Sequence, residues 1–204
     1  SVVSHELRTP VAILEGSLSN LRLLIQKKAP SKLLETTAET AYKQNTFLAT
    51  MVNDLSALSK VERGINHQVE IIHPQELAES LFNKYHKSAT EKGLSLNLNL
   101  DNKLNNVKTS KLYLEELLQN FITNSLKYTR EGSVEICFRN SPKGVIFEIK
   151  DTGIGISSSD QKRIFEKFYR SEDWRTRETG GTGLGLYVSS KLAAKIGTKI
   201  QVES

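Results

Sequence analysis

The sequence predicts a multidomain fold, in which an α-helical hairpin forms a dimeric four-helix bundle and is followed by an α+β domain. Two observations lead to this prediction. Roughly the first sixty residues carry apolar side chains at helical spacing over two long stretches. From Ile65 onward, short runs of alternating apolar and polar residues separate helical stretches, which is typical of helices packed on a mixed sheet.

The first helix is predicted over residues 1–27, because its apolar residues recur at alternating spacings of four and three. These residues are Val3, Leu7, Val11, Leu14, Leu18, Leu21 and Ile25. The segment 28–31 has the length of a loop between antiparallel helices, in which Pro30 ends the first helix and Ser31 can cap the second.

The second helix is predicted from about Lys32 to about Arg63, with Gly64 at its end. Its apolar stripe, interrupted by Asn45, consists of Leu34, Ala38, Ala41, Leu48, Val52, Leu55 and Leu58. Two helices on a short loop bury too little apolar surface alone, so residues 1–63 are expected to form a homodimer.

The second domain is predicted over residues 69–204, after a linker at residues 64–68. Strands are predicted at 69–72, 94–100, 133–139, 145–150 and 199–202, and helices at 74–92, 110–128 and 183–196, with a short helical piece around 161–168. This order of elements is that of helices lying over a mixed sheet.

Composition and charge disfavour several classes of function. Lys and Arg are scattered and give a net charge of +5, which favours an ordinary solvated surface over nucleic-acid binding. No apolar run reaches membrane-spanning length, and no secretory signal opens the chain. The lone Cys137 excludes an internal disulfide and suits a reducing compartment. The chain starts at Ser1 beside a candidate histidine and ends at Ser204 after a strand-like run, so we expect a fragment of something longer.

The segment Ser4–Pro10 is the first candidate for chemistry. His5 and Thr9 lie four residues apart and share a helix face. Because Pro10 has no N–H to donate to the carbonyl of Glu6, the helix is expected to kink or loosen there. An imidazole beside a carboxylate is a candidate nucleophile with a base next to it. The alternative at this point is a solvated histidine on the surface of a bundle.

Two amides and a lysine line one face of the helix predicted at 110–128. Asn120, Asn124 and Lys127 are spaced by four and three, and Tyr128 follows Asn124 by four. Amide oxygens suit a hard cation such as Mg²⁺, and a lysine suits a phosphate. The alternative is a solvated helix face.

Two glycine-rich segments indicate ligand binding. Asp151 follows a strand and precedes Gly153 and Gly155, so its carboxylate can accept from an exocyclic amine while the glycines let backbone approach a planar ring. A simple tight turn is the alternative. Residues 180–186 run into the last helix, where free N–H groups can cradle a phosphate. Between them, residues 165–170 hold a Phe pair that anchors a mobile loop and an arginine that can meet a phosphate.

In order and spacing, these segments resemble the motifs of the sensor histidine kinases of two-component signalling, over nearly the whole chain. The segment Ser4–Pro10 is similar to their H box and residues 120–128 to their N box. Residues 151–156, 165–170 and 181–186 are similar to the first glycine box, the F box and the second glycine box.

The resemblance implies a HisKA-type dimerisation and phosphoacceptor domain, then a GHKL-type (Bergerat) α+β sandwich that binds ATP. It implies that His5 attacks the γ-phosphate, that Glu6 hydrogen-bonds the other ring nitrogen and acts as base, and that Thr9 helps to dephosphorylate the regulator. Mg²⁺ would be held by Asn124 and Asn120. The ATP-binding residues it implies are Asn120, Asn124, Lys127, Tyr128, Asp151, Gly153, Gly155, Arg170, Gly181, Thr182, Gly183, Leu184 and Gly185.

The implied partner is the receiver domain of a response regulator, and the implied location is the cytoplasmic part of a membrane-anchored bacterial sensor, without membrane contact from this fragment. Two alternatives remain at this point: an ATP hydrolase or ATP-gated clamp on the same fold, and a non-catalytic scaffold. The ATPase relatives carry a Glu where this chain has Asn120. The sequence also departs from the family near Ser110 and at Arg130, and the usual final strand is missing past Ser204.

Overall fold

The computed structural model describes residues 2–64, 68–173 and 180–204. By their internal contacts, the residues form two units. One unit is Ser1–Ala57 with Gly180–Thr182, and the other is Leu58–Thr179 with Gly183–Ser204. The predicted domain limits of 1–63 and 69–204 stay a prediction, and residues 65–67 of the predicted linker lie outside the described residues.

The first unit is built on a helical hairpin. Helix α1 spans Val2–Gln26, and helix α2 begins at Ser31 and continues to Arg63. Helix α1 continues through Pro10, although that residue has no N–H for the ladder. The turn after α1 is closed by the N–H of Ala29, which donates to the carbonyl of Leu24, and Lys28 takes a left-handed φ of 51°.

Much of the predicted apolar seam is exposed in this hairpin. Val11, Leu18 and Ile25 of α1 are 39%, 52% and 60% exposed, and Val52 of α2 is 58% exposed. The predicted residues therefore do not all face the neighbouring helix, because a helix packed against one neighbour covers only part of its surface. A broad apolar face is left on the hairpin.

The second unit is an α+β arrangement, as predicted. Its further elements are β1 Glu70–Ile72, α3 Pro74–Glu91, β2 Ser95–Leu100, β3 Val107–Thr109, α4 Lys111–Tyr128, β4 Ser133–Ser141, β5 Gly144–Asp151, α5 Ser158–Gln161 and α6 Gly185–Lys195. A three-stranded sheet has the order β2-β4-β5, with β2 parallel and β5 antiparallel to β4. Strands β1 and β3 form a separate antiparallel pair.

The core of the second unit lies between the sheet and the helices α3, α4 and α6. Strand β4 has residues Val134, Ile136 and Phe138 fully buried, paired in register with Leu96, Leu98 and Leu100 of β2. The helices contribute Leu77, Leu81, Leu114, Leu118, Ile122, Val188 and Leu192, all nearly inaccessible. Burying each such side chain stabilises the fold by about 1.5–3 kcal/mol, and this core fixes α4 beside the end of β5.

Three sequence-based boundaries are corrected by the structure. The strand predicted at 199–202 does not form, because no described strand pairs with it and a strand needs a ladder partner. The helical piece predicted around 161–168 was wrong: the helix here is α5 at Ser158–Gln161, and residues 162–168 form turns and a bend. Helix α5 begins at a cap by Ser157, whose hydroxyl accepts the N–H of Asp160. Strand β3 was not predicted, because its three residues, Val107–Thr109, contain one apolar side chain and show no alternation.

Candidate functional site

The first candidate residues lie near the start of α1. The Nδ1 atom of His5 lies 3.4 Å from the Oε1 atom of Glu6, and the roles of nucleophile and base stay predictions. Their side chains are 76% and 43% exposed. Thr9 is also exposed and lies one turn further along the same helix. With Glu6 at Nδ1, the other ring nitrogen, Nε2, is the one available to react.

The second candidate site is built on α4, where two amides are held in a fixed chain of hydrogen bonds. The amide nitrogen of Asn124 donates to the Oδ1 atom of Asn120 at 3.1 Å. The amide nitrogen of Asn120 donates in turn to the hydroxyl of Ser189 on α6 at 2.8 Å, and Ser189 is fully buried. Because the NH₂ group of Asn124 donates to Asn120, the Oδ1 atom of Asn124 is the atom that can bind a cation.

The end of β5 is joined to α4 by a second set of hydrogen bonds. The Oδ2 atom of Asp151 accepts from the hydroxyl of Ser125 at 2.7 Å, and its Oδ1 atom accepts from the N–H of Gly153 at 3.0 Å. The N–H of Ile154 donates to the carbonyl of Tyr128 at 3.3 Å. Asp151 is therefore held against α4 at Ser125, the residue that follows Asn124.

Two glycines allow backbone to approach these residues closely. A Cβ at Gly153 would lie 2.8 Å from both the Asp151 carboxylate and the carbonyl of Tyr128. A Cβ at Gly185, the first residue of α6, would lie 2.9 Å from the Oδ1 atom of Asn120. Any side chain at either position would displace the polar groups of the site.

The segment 165–170 is joined to the second glycine-rich segment through backbone. Phe168 has a left-handed φ of 64°, and its N–H donates to the carbonyl of Gly183 at 2.9 Å. Gly183 has a φ of 69°, and a Cβ there would lie 2.7 Å from the carbonyl carbon of Phe168. The two segments are thus joined through main chain, and the anchoring role of the Phe pair stays a prediction.

Arg170 lies in a loop, and its two neighbouring residues, Tyr169 and Ser171, both hydrogen-bond to the carboxylate of Asp160. The two carboxylate oxygens of Asp160 accept from the hydroxyls of Tyr169 at 2.6 Å and Ser171 at 2.7 Å. These bonds, that of Tyr169 foremost, hold the pKa of Asp160 below its usual range, and the bond to Asp160 raises the pKa of Tyr169. An open cavity of about 800 Å³ is lined by twelve residues between Ser157 and Asp173, and Arg170 is one of them.

Several other residues predicted to bind ATP make contacts within the protein instead of with the groups described above. Lys127 lies over the ring of Tyr128, with its Nζ atom 4.8 Å from the ring centre. The side chain of Leu184 is fully buried, so only its backbone can face a ligand. Gly181 and Thr182 belong by their contacts to the first unit, where the hydroxyl of Thr182 donates to Asp54 at 2.6 Å.

Two functional candidates, Ser125 and Ser189, were missed by sequence reasoning. Both are buried serines that donate to or accept from a predicted site residue. A small hydroxyl residue inside a helix carries no periodic signal of its own. Only the folded structure reveals them, because it brings Ser125 to Asp151 across 26 residues of sequence and Ser189 to Asn120 across 69.

The polar groups of the second unit fit a magnesium nucleotide. Asn124 offers an amide oxygen, which is a ligand type that Mg²⁺ accepts, and phosphate oxygens and water normally complete the shell of this ion. Among the described residues no group of three His, Cys, Asp or Glu side chains is placed to hold a metal. The carboxylate of Asp151, at the end of β5, fits a flat base that carries an amine.

Comparison with known proteins explains why these two sites occur in one chain. Residues 1–64 match the sequence profile of the His Kinase A (phospho-acceptor) domain. Residues 109–204 match that of the histidine kinase-, DNA gyrase B-, and HSP90-like ATPases. The chain belongs to the histidine kinase family. Its α+β unit is accordingly the ATP-binding module, and His5 lies inside the phosphoacceptor module.

Relatives of this histidine kinase chain support the same assignment. Histidine protein kinase SaeS of Staphylococcus aureus (strain USA300) is 30% identical over 205 residues, which cover 99% of this chain. The chain spans 58% of the length of that relative. SaeS of Staphylococcus epidermidis (strain ATCC 12228) is also 30% identical, over 207 residues and again 58% of its length.

Two solved structures resemble this histidine kinase chain over most of its length. Histidine kinase AdeS of Acinetobacter baumannii matches with a TM-score of 0.69 and 26% identity, over 94% of this chain and 86% of that one. Full-length ShkA, solved in complex with AMPPNP, matches with a TM-score of 0.67 and 27% identity, over 96% of this chain and 40% of that one. In the part of the chain that the structure describes, no helix is long and apolar enough to cross a membrane.

Proposed function

We propose that this histidine kinase core uses ATP and Mg²⁺ to phosphorylate its own His5 and then passes the phosphoryl group to an aspartate of a response-regulator receiver domain. The observation that carries the proposal is the His5–Glu6 pair on an exposed helix, in a chain whose other module is an ATP-binding unit. A kinase needs both parts, because a reactive nitrogen must be offered to a bound nucleotide.

The chemistry at His5 follows from its contact with Glu6. Glu6 accepts the Nδ1 proton, which fixes the tautomer and leaves a lone pair on Nε2. Nε2 attacks the γ-phosphorus, so that an N–P bond forms while the bond to the β-phosphate oxygen breaks and ADP leaves. The positive charge that grows on the ring is relieved as the Nδ1 proton moves to the Glu6 carboxylate.

The second unit would bind and orient the nucleotide. Asp151 accepts from the adenine amine, and the glycines at 153 and 155 let backbone lie against the ring. Asn124 would hold Mg²⁺ through its amide oxygen, and the ion when bound would supply positive charge against the phosphates. Asn120 is engaged at both ends of its amide and holds Asn124, so we give it a positioning role beside its predicted role as a ligand. Lys127, Tyr128 and Arg170 would contact phosphate.

The second glycine-rich segment would close over the nucleotide. Its residues in this role are Gly181, Thr182, Gly183, Leu184 and Gly185. Free N–H groups at the start of a helix attract phosphate oxygens, and Gly183 and Gly185 leave room for close backbone contacts.

We further propose that the chain works as a homodimer through residues 1–63. The broad apolar face of the hairpin supports this, because Leu18, Ile25 and Val52 are each more than half exposed in one copy. Family membership and the lone thiol of Cys137 support a place on the cytoplasmic side of a membrane-anchored bacterial sensor.

The test is incubation with Mg²⁺ and γ-labelled ATP, beside the variants His5→Gln and Asn124→Ala. We expect acid-labile and alkali-stable label on the wild type and none on either variant. His5→Gln should still bind ATP, whereas Asn124→Ala should lose the part of the affinity that depends on Mg²⁺. Wild-type protein that binds ATP and stays unlabelled, both alone and within the longer protein, would overturn the proposal.

A regulator phosphatase activity is a second proposed function. Thr9 lies one helical turn from His5 and is exposed, so it can place a water molecule for attack on a docked phosphoaspartate. Thr9→Ala should slow the loss of phosphate from a phosphorylated receiver domain without slowing autophosphorylation. Equal slowing of both reactions would contradict this role.

An ATP hydrolase or ATP-gated clamp is disfavoured by the state of Asn120. A general base must accept a proton from water, and an amide cannot do so. The hydrogen bonds of Asn120 to Asn124 and Ser189 also leave it as a structural link within the site.

A further inference from the structure

Ser125 is a buried hydroxyl that points at the proposed base-reading carboxylate. It lies on α4 between Asn124 and Leu126 and is 7% exposed. Its hydroxyl donates to the Oδ2 atom of Asp151 at 2.7 Å, across 26 residues of sequence. Serines inside helices commonly donate to the carbonyl one turn back, and this one instead reaches the end of β5.

The two oxygens of Asp151 are held from two different directions. Ser125 donates to Oδ2 from α4, while the N–H of Gly153 donates to Oδ1 from the turn after β5. Two donors on opposite oxygens fix the plane of a carboxylate. Each oxygen keeps a second lone pair, so Asp151 can still accept from a ligand.

The geometry points to Ser125 as a positioning residue for base recognition, which rests on the proposed function. We propose that its hydroxyl holds Asp151 in the orientation that accepts from the exocyclic amine of adenine, and that this favours adenine over a base with a carbonyl at the same place. A carbonyl oxygen facing a fixed carboxylate has no proton to share, so the two oxygens repel each other.

The test measures how much the exocyclic amine of adenine contributes to nucleotide affinity. Dissociation constants are measured by calorimetry on the full chain for ATP and for purine riboside triphosphate, which lacks the exocyclic amine. In the wild type, we expect ATP to bind about tenfold more tightly, as for one hydrogen bond to a charged group. In Ser125→Ala, ATP should bind about fivefold more weakly, with less than a twofold change for the analogue.

A matched control and an isosteric pair keep the result specific. Thr123→Ala removes an exposed hydroxyl of the same helix that donates to the backbone carbonyl of Asn120, and it should leave the ratio of the two constants unchanged. Ser125→Thr keeps a hydroxyl and Ser125→Val has the same shape without one. The Thr variant should keep the preference for ATP over the analogue, and the Val variant should lose it. This pair tests the role of the hydroxyl even if Ser125→Ala unfolds.

Each outcome has a distinct meaning. Equal weakening of ATP and of the analogue in Ser125→Ala, or an unchanged ratio between them, would overturn the role of Ser125 and leave the proposed function standing. If the wild type binds neither nucleotide, the ATP-binding function itself fails, and the role of Ser125 fails with it. A ratio that falls toward one in the Ala and Val variants alone supports the inference.

Discussion

The segment of α1 around His5 and the proposed nucleotide site of the second unit are built in opposite ways. His5 and Glu6 are neighbours in sequence, are exposed, and meet through one contact of 3.4 Å. Asn120 and Asp151 are instead held by buried serines that lie far from them in sequence, and Asn120 in turn holds Asn124. The proposed function accounts for this difference: a histidine that meets two partners in turn needs access, whereas residues that recognise one nucleotide need fixed positions.

Glu6→Gln should break the first region with the largest expected effect. An amide still accepts a hydrogen bond from Nδ1 but does not take the proton, so the rate of His5 phosphorylation should fall about 100-fold, as for loss of a general base. The affinity for ATP should not change. The measurement is the initial rate of label incorporation at saturating ATP, and a rate within threefold of wild type would exclude Glu6 as base.

Gly183→Ala should break the second region through its backbone. The new Cβ would meet the backbone of Phe168 at 2.7 Å, and the left-handed φ adds about 1 kcal/mol of strain. We expect ATP affinity to fall about 30-fold. Gly197→Ala is the matched control, since it has the same φ of 69° with no atom within 4 Å of its Cβ. Equal losses in both variants would mean that strain alone, and not the contact with Phe168, decides the effect.

Ser189→Ala should sharpen the comparison by testing the chain of amides. Without the buried hydroxyl, Asn120 loses the acceptor of its NH₂ group and no longer fixes Asn124. We expect the ratio of ATP affinities with and without Mg²⁺ to fall about fivefold, with little change in Mg²⁺-free binding. Ser190→Ala, which removes a hydroxyl that donates to the carbonyl of Tyr187, is the control and should keep the ratio.

Asp160→Asn should give the smallest effect, a change in the pKa of Tyr169 that is confined to the loop 157–173. The hydrogen bond to Asp160 raises the pKa of Tyr169 above its ordinary value near 10. The protonated tyrosine therefore stabilises the folded loop fully at pH values below that ordinary value. This contribution is lost as the pH rises through the pKa that Tyr169 has in the folded protein. In the variant, the pKa of Tyr169 should move down toward its ordinary value. NMR titration of ring-labelled tyrosine measures it, and an unmoved Tyr169 would show that another group raises its pKa.

The sequence by itself determined the helical hairpin, the α+β order of the second unit and the positions of the motifs. These depend on local periodicity and spacing, which survive in any fold that buries the apolar residues. The occurrence of His5 and Glu6 side by side near the start of a helix was also readable from the sequence, because it needs no distant partner.

Only the tertiary structure decided how the amides and the carboxylate are held. Ser125 and Ser189 reach Asp151 and Asn120 because α4, α6 and β5 pack together around the core, and such contacts across 26 and 69 residues leave no local pattern. The same reason explains the two errors in strands. Strand β3 forms because β1 lies beside it, and residues 199–202 do not form a strand because no described strand pairs with them.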